Sequence, residues 1–223
     1  AGRRQVEQAL REEVAMGAVI ARLRQQLADS PSPGRLQSAL SELGQASKAG
    51  HLRLFLIDSA ARTFSCVAEW ARQPEDLRGA ELQDLSLEAV TGSLAALGRG
   101  EVVRLDTASG DCRQFAEGFS LQNAYWLPLH VSGELGGFLC VGGVPADRLV
   151  DDPENAALFI ATQIVGSAIA RDRGARALRE RETFLAAIVD NLPMNLIVKY
   201  AEELRVARVN RFAERQFGVP TGA

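Results

Sequence analysis

Histidine and cysteine are scarce in this chain, at two and three among 223 residues. Cys66, Cys112 and Cys140 are odd in number, widely spaced and free of C-x-x-C pairs, so neither a disulfide framework nor a zinc site is indicated. A reducing, cytoplasmic setting fits that usage. His51 and His130 stand at the start and the end of strand-like runs, and neither has a Ser, Cys or carboxylate spaced for a triad or a metal site. Both are expected to be structural or solvated, and with no catalytic constellation in view the chain is not expected to be an enzyme. A clustered cationic face is lacking as well: the net charge is −3, the pI is near 5.6, and acids are interleaved with the arginines. That argues against nucleic acid as a main partner, because phosphate neutralisation requires a concentrated basic surface. Long apolar runs are also missing. The most membrane-like stretch, Ala156 to Ala170, is shorter than the ~20 residues a bilayer requires and contains Thr162, Gln163 and Ser167. Ala1-Gly2-Arg3-Arg4 does not open a signal peptide. The pairs Gly136-Gly137 and Gly142-Gly143 lack the strand-to-helix context of a phosphate loop and read as turn and packing glycines. Asp151-Asp152 precedes a helix, whose N-terminus favours carboxylates without any metal.

What is present is enough to bury a core: 47% of residues are apolar and 24% charged, which predicts one full domain with appendages. From Asp152 to Leu192 one helical pattern continues unbroken until Asn191-Leu192-Pro193. Leu158, Ala161, Val165, Ala168, Asp172, Ala175, Leu178, Glu182, Leu185, Val189 and Leu192 follow at steps of three or four, a heptad-like seam interrupted by Asp172 and Glu182. Such a seam predicts two helices paired without being locked. The motif A-L-R-E occurs at Ala177 to Glu180 and again at Ala9 to Glu12. Similar charged helical connectors at both ends suggest a segment from the middle of a multi-domain protein.

Arg3 to Ala28 predicts a first helix, with Val6, Leu10, Val14, Ile20, Leu23 and Leu27 as its apolar stripe. Ser30-Pro31-Ser32-Pro33-Gly34 ends it, and Leu36, Leu40 and Leu43 mark a second, shorter helix. His51 to Ile57 and Thr63 to Trp70 form a predicted hairpin, the first strand apolar enough to be covered on both faces. Gln73 to Ser86 is irregular, Leu87 to Leu97 helical, Val102 to Leu105 a short strand, and Cys112 to Phe119 a short helix or turn. A second hairpin joins Ala124 to Val131 with Leu135 to Val141 about Ser132-Gly133-Glu134. Hairpin-linked strands with helices around them imply an α+β domain built on an antiparallel sheet.

That order, with the phrase L-Q-N-A-Y-W-L-P-L-H-V-S-G-E-L-G-G-F-L-C-V from Leu121 to Val141, resembles the GAF family. The matching features are Leu127-Pro128-Leu129 at a strand end, Gly133 in the turn and Leu135-Gly136 opening the next strand. The resemblance covers roughly Leu36 to Arg171. It implies a GAF-like sheet with the N- and C-terminal helices on one face and a small-molecule pocket on the other. Phe115, Phe119, Tyr125, Trp126 and Phe138 are then the ligand-binding candidates, with Cys112 at the rim. In bilin-binding members a Cys before the Pro-Leu strand carries the chromophore. Cys112 stands at that place, but Arg113 follows where those photosensors have His. Another branch of the family reduces free methionine sulfoxide through a low-pKa thiolate and a resolving partner, and Arg113 beside Cys112 favours such a thiolate. Phe184 to Val219, with D-N-L-P at Asp190 to Pro193 and V-N-R-F-A-E at Val209 to Glu214, resembles the opening of a PAS domain. It predicts a hairpin of Leu196 to Tyr200 with Leu204 to Val209, then a helix to Phe217.

The resulting expectation is a signalling helix over 1–30, a GAF-like domain over 31–170, a coiled-coil linker over 171–186 and a truncated PAS-like start over 187–223. Such a chain serves as the sensor and dimerisation module of a signal-transduction protein of the histidine kinase or cyclic-di-nucleotide type. It works as a homodimer through its terminal helices and relays a ligand or partner event to an output domain outside this chain. The alternatives that rest on Cys112 are a redox enzyme of the methionine sulfoxide reductase type and a bilin photosensor. No cofactor is specified by the residues.

Overall fold

The computed structural model describes residues 2–105, 124–143, 153–199 and 206–218, with side chains from residue 14 onward except at 153–155 and 207. It divides into two compact units, Ala1–Asp172 and Arg173–Ala223. In the first unit the strands are β1 (His51–Asp58), β2 (Thr63–Ala71), β3 (Leu85–Ser86), β4 (Val103–Arg104), β5 (Tyr125–Val131) and β6 (Glu134–Gly142). They form one antiparallel sheet in the order β3-β2-β1-β6-β5-β4. β1 lies between β2 and β6, which is why its sequence is apolar on both faces. In the β1–β2 turn Asp58 Oδ1 accepts from the amides of Ala60 and Ala61 at 2.9 and 3.0 Å, an Asx turn. In the β5–β6 turn Ser132 and Gly133 both have positive φ, 55° and 87°, the backbone of a two-residue hairpin loop whose twist matches its strands. The pairing passes from Leu54 with Ala68 to Phe55 with Cys66, so Val67 is the extra residue of a bulge. Among the described residues β4 pairs with Tyr125 and Trp126 alone. Pro128 therefore lies beyond the end of that edge strand, where a residue without an N–H is tolerated.

The helices are α1 (Gly2–Gln26), α2 (Pro33–Ala46), α3 (Thr91–Gly98) and α4 (Pro153–Asn191). α1, α2 and the first half of α4 cover one face of the sheet. Their buried side chains are Met16, Val19, Leu23, Leu36, Leu40 and Leu43 from α1 and α2, and Leu158, Ala161, Val165, Ala168 and Ile169 from α4. They meet Leu52, Leu54, Tyr125, Leu127, Leu129, Leu139 and Val141 of the sheet. The buried stripe of α1 differs from the one expected: Met16, Val19, Leu23 and the following Leu27 turn inward, while Val14 is 65% exposed. Steps of three, four and four are the helical period, and Val14 falls off it. α4 lies close to β5 at Gly166, where a Cβ would stand 2.2 Å from the His130 carbonyl oxygen, so only glycine permits that approach. Gln163 Nε2 donates to the Pro128 carbonyl at 3.1 Å beside it. A void of about 10 Å³ lined by Leu23, Leu36, Leu40, Leu139 and Val165 is the size of one water probe. The helix–sheet layer around that void is thus packed too tightly for a ligand there. Asp172, the first charge in the expected seam, accepts from Ser30 Oγ at 3.2 Å.

The second unit holds the end of α4, the antiparallel pair β7 (Ile197–Lys199) and β8 (Val206–Val209), and α5 (Arg211–Phe217). The hairpin and helix stand within the ranges the sequence predicted. Gly218, with φ of 67°, closes α5 by donating its amide to the Glu214 carbonyl at 2.8 Å. Val209, Ala213 and Asn210 are buried, whereas Leu178, Phe184, Leu185 and Ile188 of α4 are exposed, as is Glu182. Among the described residues no helix is long and apolar enough to cross a membrane.

Candidate functional site

Strand alternation sends a second set of side chains to the face of the sheet away from α1 and α4. Phe55 of β1, Phe64 and Cys66 of β2, Trp126 of β5, and Phe138 and Cys140 of β6 form one buried cluster, with Leu82, Val90 and Leu97 packed over it. Val90 and Leu97 come from a 3-10 turn (Leu87–Val90) and α3, so these two elements roof this face. Trp126 and Phe138 stack with ring centroids 4.5 Å apart, and Phe138 stacks in turn on Phe55 at 4.9 Å.

Two of the expected site residues, Trp126 and Phe138, are therefore brought together. Tyr125 is not: it is buried on the opposite face among Leu127, Leu129 and Leu139, in the helical layer. Neighbours on a strand point to opposite sides, so Tyr125 and Trp126 never share a pocket. Cys112, Phe115 and Phe119 lie outside the described residues.

A buried polar corner adjoins the aromatic cluster, and the sequence reading passed over it. Arg53 of β1 is 2% exposed and faces Glu69 of β2, with Arg53 Nε donating to Glu69 Oε1 at 2.7 Å. The same carboxylate accepts from the amides of Arg78 and Gly79 at 2.8 and 2.7 Å, and Arg53 Nη2 donates to the Asp76 carbonyl. Gln37 of α2 brackets Glu69 further, donating to its carbonyl and accepting from its amide. Glu69 thus fastens the 74–82 segment to the sheet, and Leu82 anchors the far end by burial. Opposite charges inside two facing apolar strands, Arg53 in H-L-R-L-F-L-I-D and Glu69 in T-F-S-C-V-A-E-W-A, were the available signal.

His51, Cys66 and Cys140 share this environment. Burial holds His51 down from 6.5 to about 4, and the positive charge of Arg53 adds to the effect. Burial pushes both thiols up to about 12; Glu69 reinforces the shift at Cys66, while Arg53 pulls the other way at both. At neutral pH the two cysteines are protonated small hydrophobes and supply no nucleophile. His51 Nε2 and Arg53 Nη1 are buried and have no hydrogen-bond partner among the described residues. His130 is placed differently, half-buried with Nε2 donating to the Gly98 carbonyl at 3.3 Å.

The His51 shift makes stability depend on pH. In the unfolded chain the ring takes up a proton as pH falls through about 6.5, while in the folded chain it stays neutral to about 4. The folded state therefore loses stability across that window and loses no more below it. Between about pH 7.5 and pH 5 the expected loss from this group is ~2 kcal/mol. Urea denaturation at the two pH values, compared between the wild type and His51→Phe, isolates that contribution. A variant with the same pH dependence as the wild type contradicts the assignment.

No family model matches the chain, and no curated protein matches it. Solved structures do, and they define the class: the chain adopts a GAF-like fold. The GAF domain of a phosphoenolpyruvate-protein phosphotransferase from Coxiella burnetii aligns with a TM-score of 0.59 at 19% identity, over 74% of this chain and 98% of that one. A segment of a methyl-accepting chemotaxis protein, residues 122 to 287, aligns at 0.56 and 19%, over 70% and 99%. A phycocyanobilin-bound GAF domain from a cyanobacterial phytochrome aligns at 0.56 and 15%, over 72% and 94%.

Proposed function

We propose that this chain is a regulatory sensor and dimerisation module of a signal-transduction protein. The observation that carries the reading is α4, a single helix of 39 residues that packs on the sheet through Ile169 and then continues with Leu178, Phe184, Leu185 and Ile188 exposed. Leu178 and Leu185 are one heptad apart, and Ile188 comes three residues later, the spacing of a two-helix seam. A second copy covers that stripe, and α1 with α4 of each copy makes a helical bundle. Likeness to domains of a chemotaxis protein and a phosphotransferase supports a signalling context by fold alone.

A ligand or partner event at the face lined by Trp126 and Phe138, with Cys112, Phe115 and Phe119 as further candidates, shifts the bundle between arrangements of nearly equal energy. Arg53 Nη1 and His51 Nε2 are the groups that read the polar end of such a ligand. The β7–β8–α5 unit is the start of a PAS-like domain that receives the movement, and the output acts in the cytoplasm.

Native mass spectrometry of the purified protein tests the reading. The expected result is a dimer, with any retained small molecule appearing as added mass. A strict monomer at high protein concentration sinks it.

A further inference from the structure

The motif V-N-R-F-A-E places one side chain at the junction of four segments. Asn210 is fully buried, although the unit around it exposes most of its apolar residues. Its Oδ1 accepts from the amides of Leu196 at 3.0 Å and Ala213 at 3.1 Å. Its Nδ2 lies 3.1 Å from the Val189 carbonyl, 2.9 Å from that of Met194 and 3.5 Å from that of Leu192. Its own amide donates to the Leu196 carbonyl at 3.1 Å. The carbonyls of Val189 and Leu192 belong to the last turn of α4 and the residue after it, where helix geometry leaves acceptors without intrahelical donors. Ala213 lies in the first turn of α5, where amides lack acceptors for the converse reason.

One carboxamide therefore ends one helix, starts another and holds the lead-in to β7 between them. The chemistry is specific to an amide. An aspartate offers no donor to the α4 carbonyls, and a serine hydroxyl caps α5 but is too short to span to α4.

We infer that Asn210 makes the end of α4, the start of β7 and the start of α5 a single cooperative unit, so that the last turn of the connector cannot change without the adjoining hairpin and helix. This deepens the relay reading, and rests on it for the signalling consequence. Asn210 is the point at which a movement of α4 becomes a movement of β7 and α5. Arg208, whose guanidinium lies 3.8 Å from Asp190 of α4, adds an outer, solvent-facing contact across the same junction.

Hydrogen exchange measured by mass spectrometry on the full chain tests the inference. In the wild type the 186–196 and 211–217 segments are expected to open together, with matching dependence on denaturant. Asn210→Ala is expected to lower protection in both by about tenfold, the scale of a lost buried capping interaction. Asn210→Ser is expected to keep α5 protected within about twofold while the end of α4 still loses about tenfold. Loss of protection in both segments together in Asn210→Ala is the joint opening the inference requires. Loss confined to α5 in both variants, or unchanged protection at the end of α4, overturns it and leaves Asn210 an ordinary helix cap. The relay reading fails separately, through a monomeric mass for the wild type.

Discussion

Glu69→Leu is expected to destabilise the first unit by about 3–5 kcal/mol, the scale for breaking a buried ion pair by removing one partner. The loss arises from what stays behind. Arg53 is 2% exposed, and Glu69 is the carboxylate that pairs with its guanidinium at 2.7 Å. With Leu at this position the charge remains buried among Phe55, Cys66 and Cys140, and the amides of Arg78 and Gly79 lose their acceptor as well. The double variant Arg53→Met with Glu69→Leu is expected to recover most of the loss, because apolar replacements of similar volume commonly match a buried pair. Chemical denaturation of the four proteins gives the coupling directly. If Glu69→Leu costs under about 1 kcal/mol, the pair behaves as a surface salt bridge and the buried corner is wrongly drawn. Protease cleavage within the 74–82 segment, faster in Glu69→Leu than in the wild type, locates the effect at the strap that Glu69 holds.

The legibility of this fold depends on how many residues each element brings to a period. β1, β2, β5 and β6 run for seven to nine residues with clear turns between them, so their existence and pairing could be read from apolar runs and from Ser132-Gly133. β3 could not: Leu85 and Ser86 are an edge strand of two residues, defined by β2 rather than by any pattern of their own. The aromatic half of the candidate site was legible because Trp126 and Phe138 sit on strands whose direction was known. Tyr125 shares the aromatic character of Trp126 but not its face, since adjacent strand residues point to opposite sides of the sheet. Arg53 and Glu69 escaped for a related reason. Each is a lone charge in an apolar run, and only the register of β1 with β2 shows that they stand opposite one another. The long helix carried the opposite problem, since period alone does not say what covers a stripe. Asp172 interrupts the seam because it serves Ser30, and beyond it the stripe that includes Leu178 and Leu185 is open rather than buried.

That open stripe yields the second large effect. Leu185→Glu combined with Ile188→Glu is expected to weaken self-association by about a hundredfold or more. Leu185 and Ile188 are 59% and 45% exposed, so the unit does not depend on them for its own core, and each Leu or Ile side chain buried in a seam contributes roughly 1.5–3 kcal/mol. In a symmetric pair every substitution counts twice, and the glutamates introduced oppose one another across the seam in addition. Sedimentation velocity over a concentration series reads the change in association. Circular dichroism and thermal melting of the variant are expected to show the first unit intact, since its helix–sheet layer is built from Leu158, Ala161, Val165, Ala168 and Ile169 of the same helix. The two readouts separate the possible outcomes. A variant that dissociates and keeps its melting transition places the contact on the exposed stripe of α4. A variant that associates as tightly as the wild type moves the contact elsewhere and removes the ground for a relay along α4. Glu182, also exposed on this part of α4, offers the converse change: Glu182→Leu extends the apolar surface of the seam and is expected to tighten association, at the expense of the readiness to shift that the relay requires.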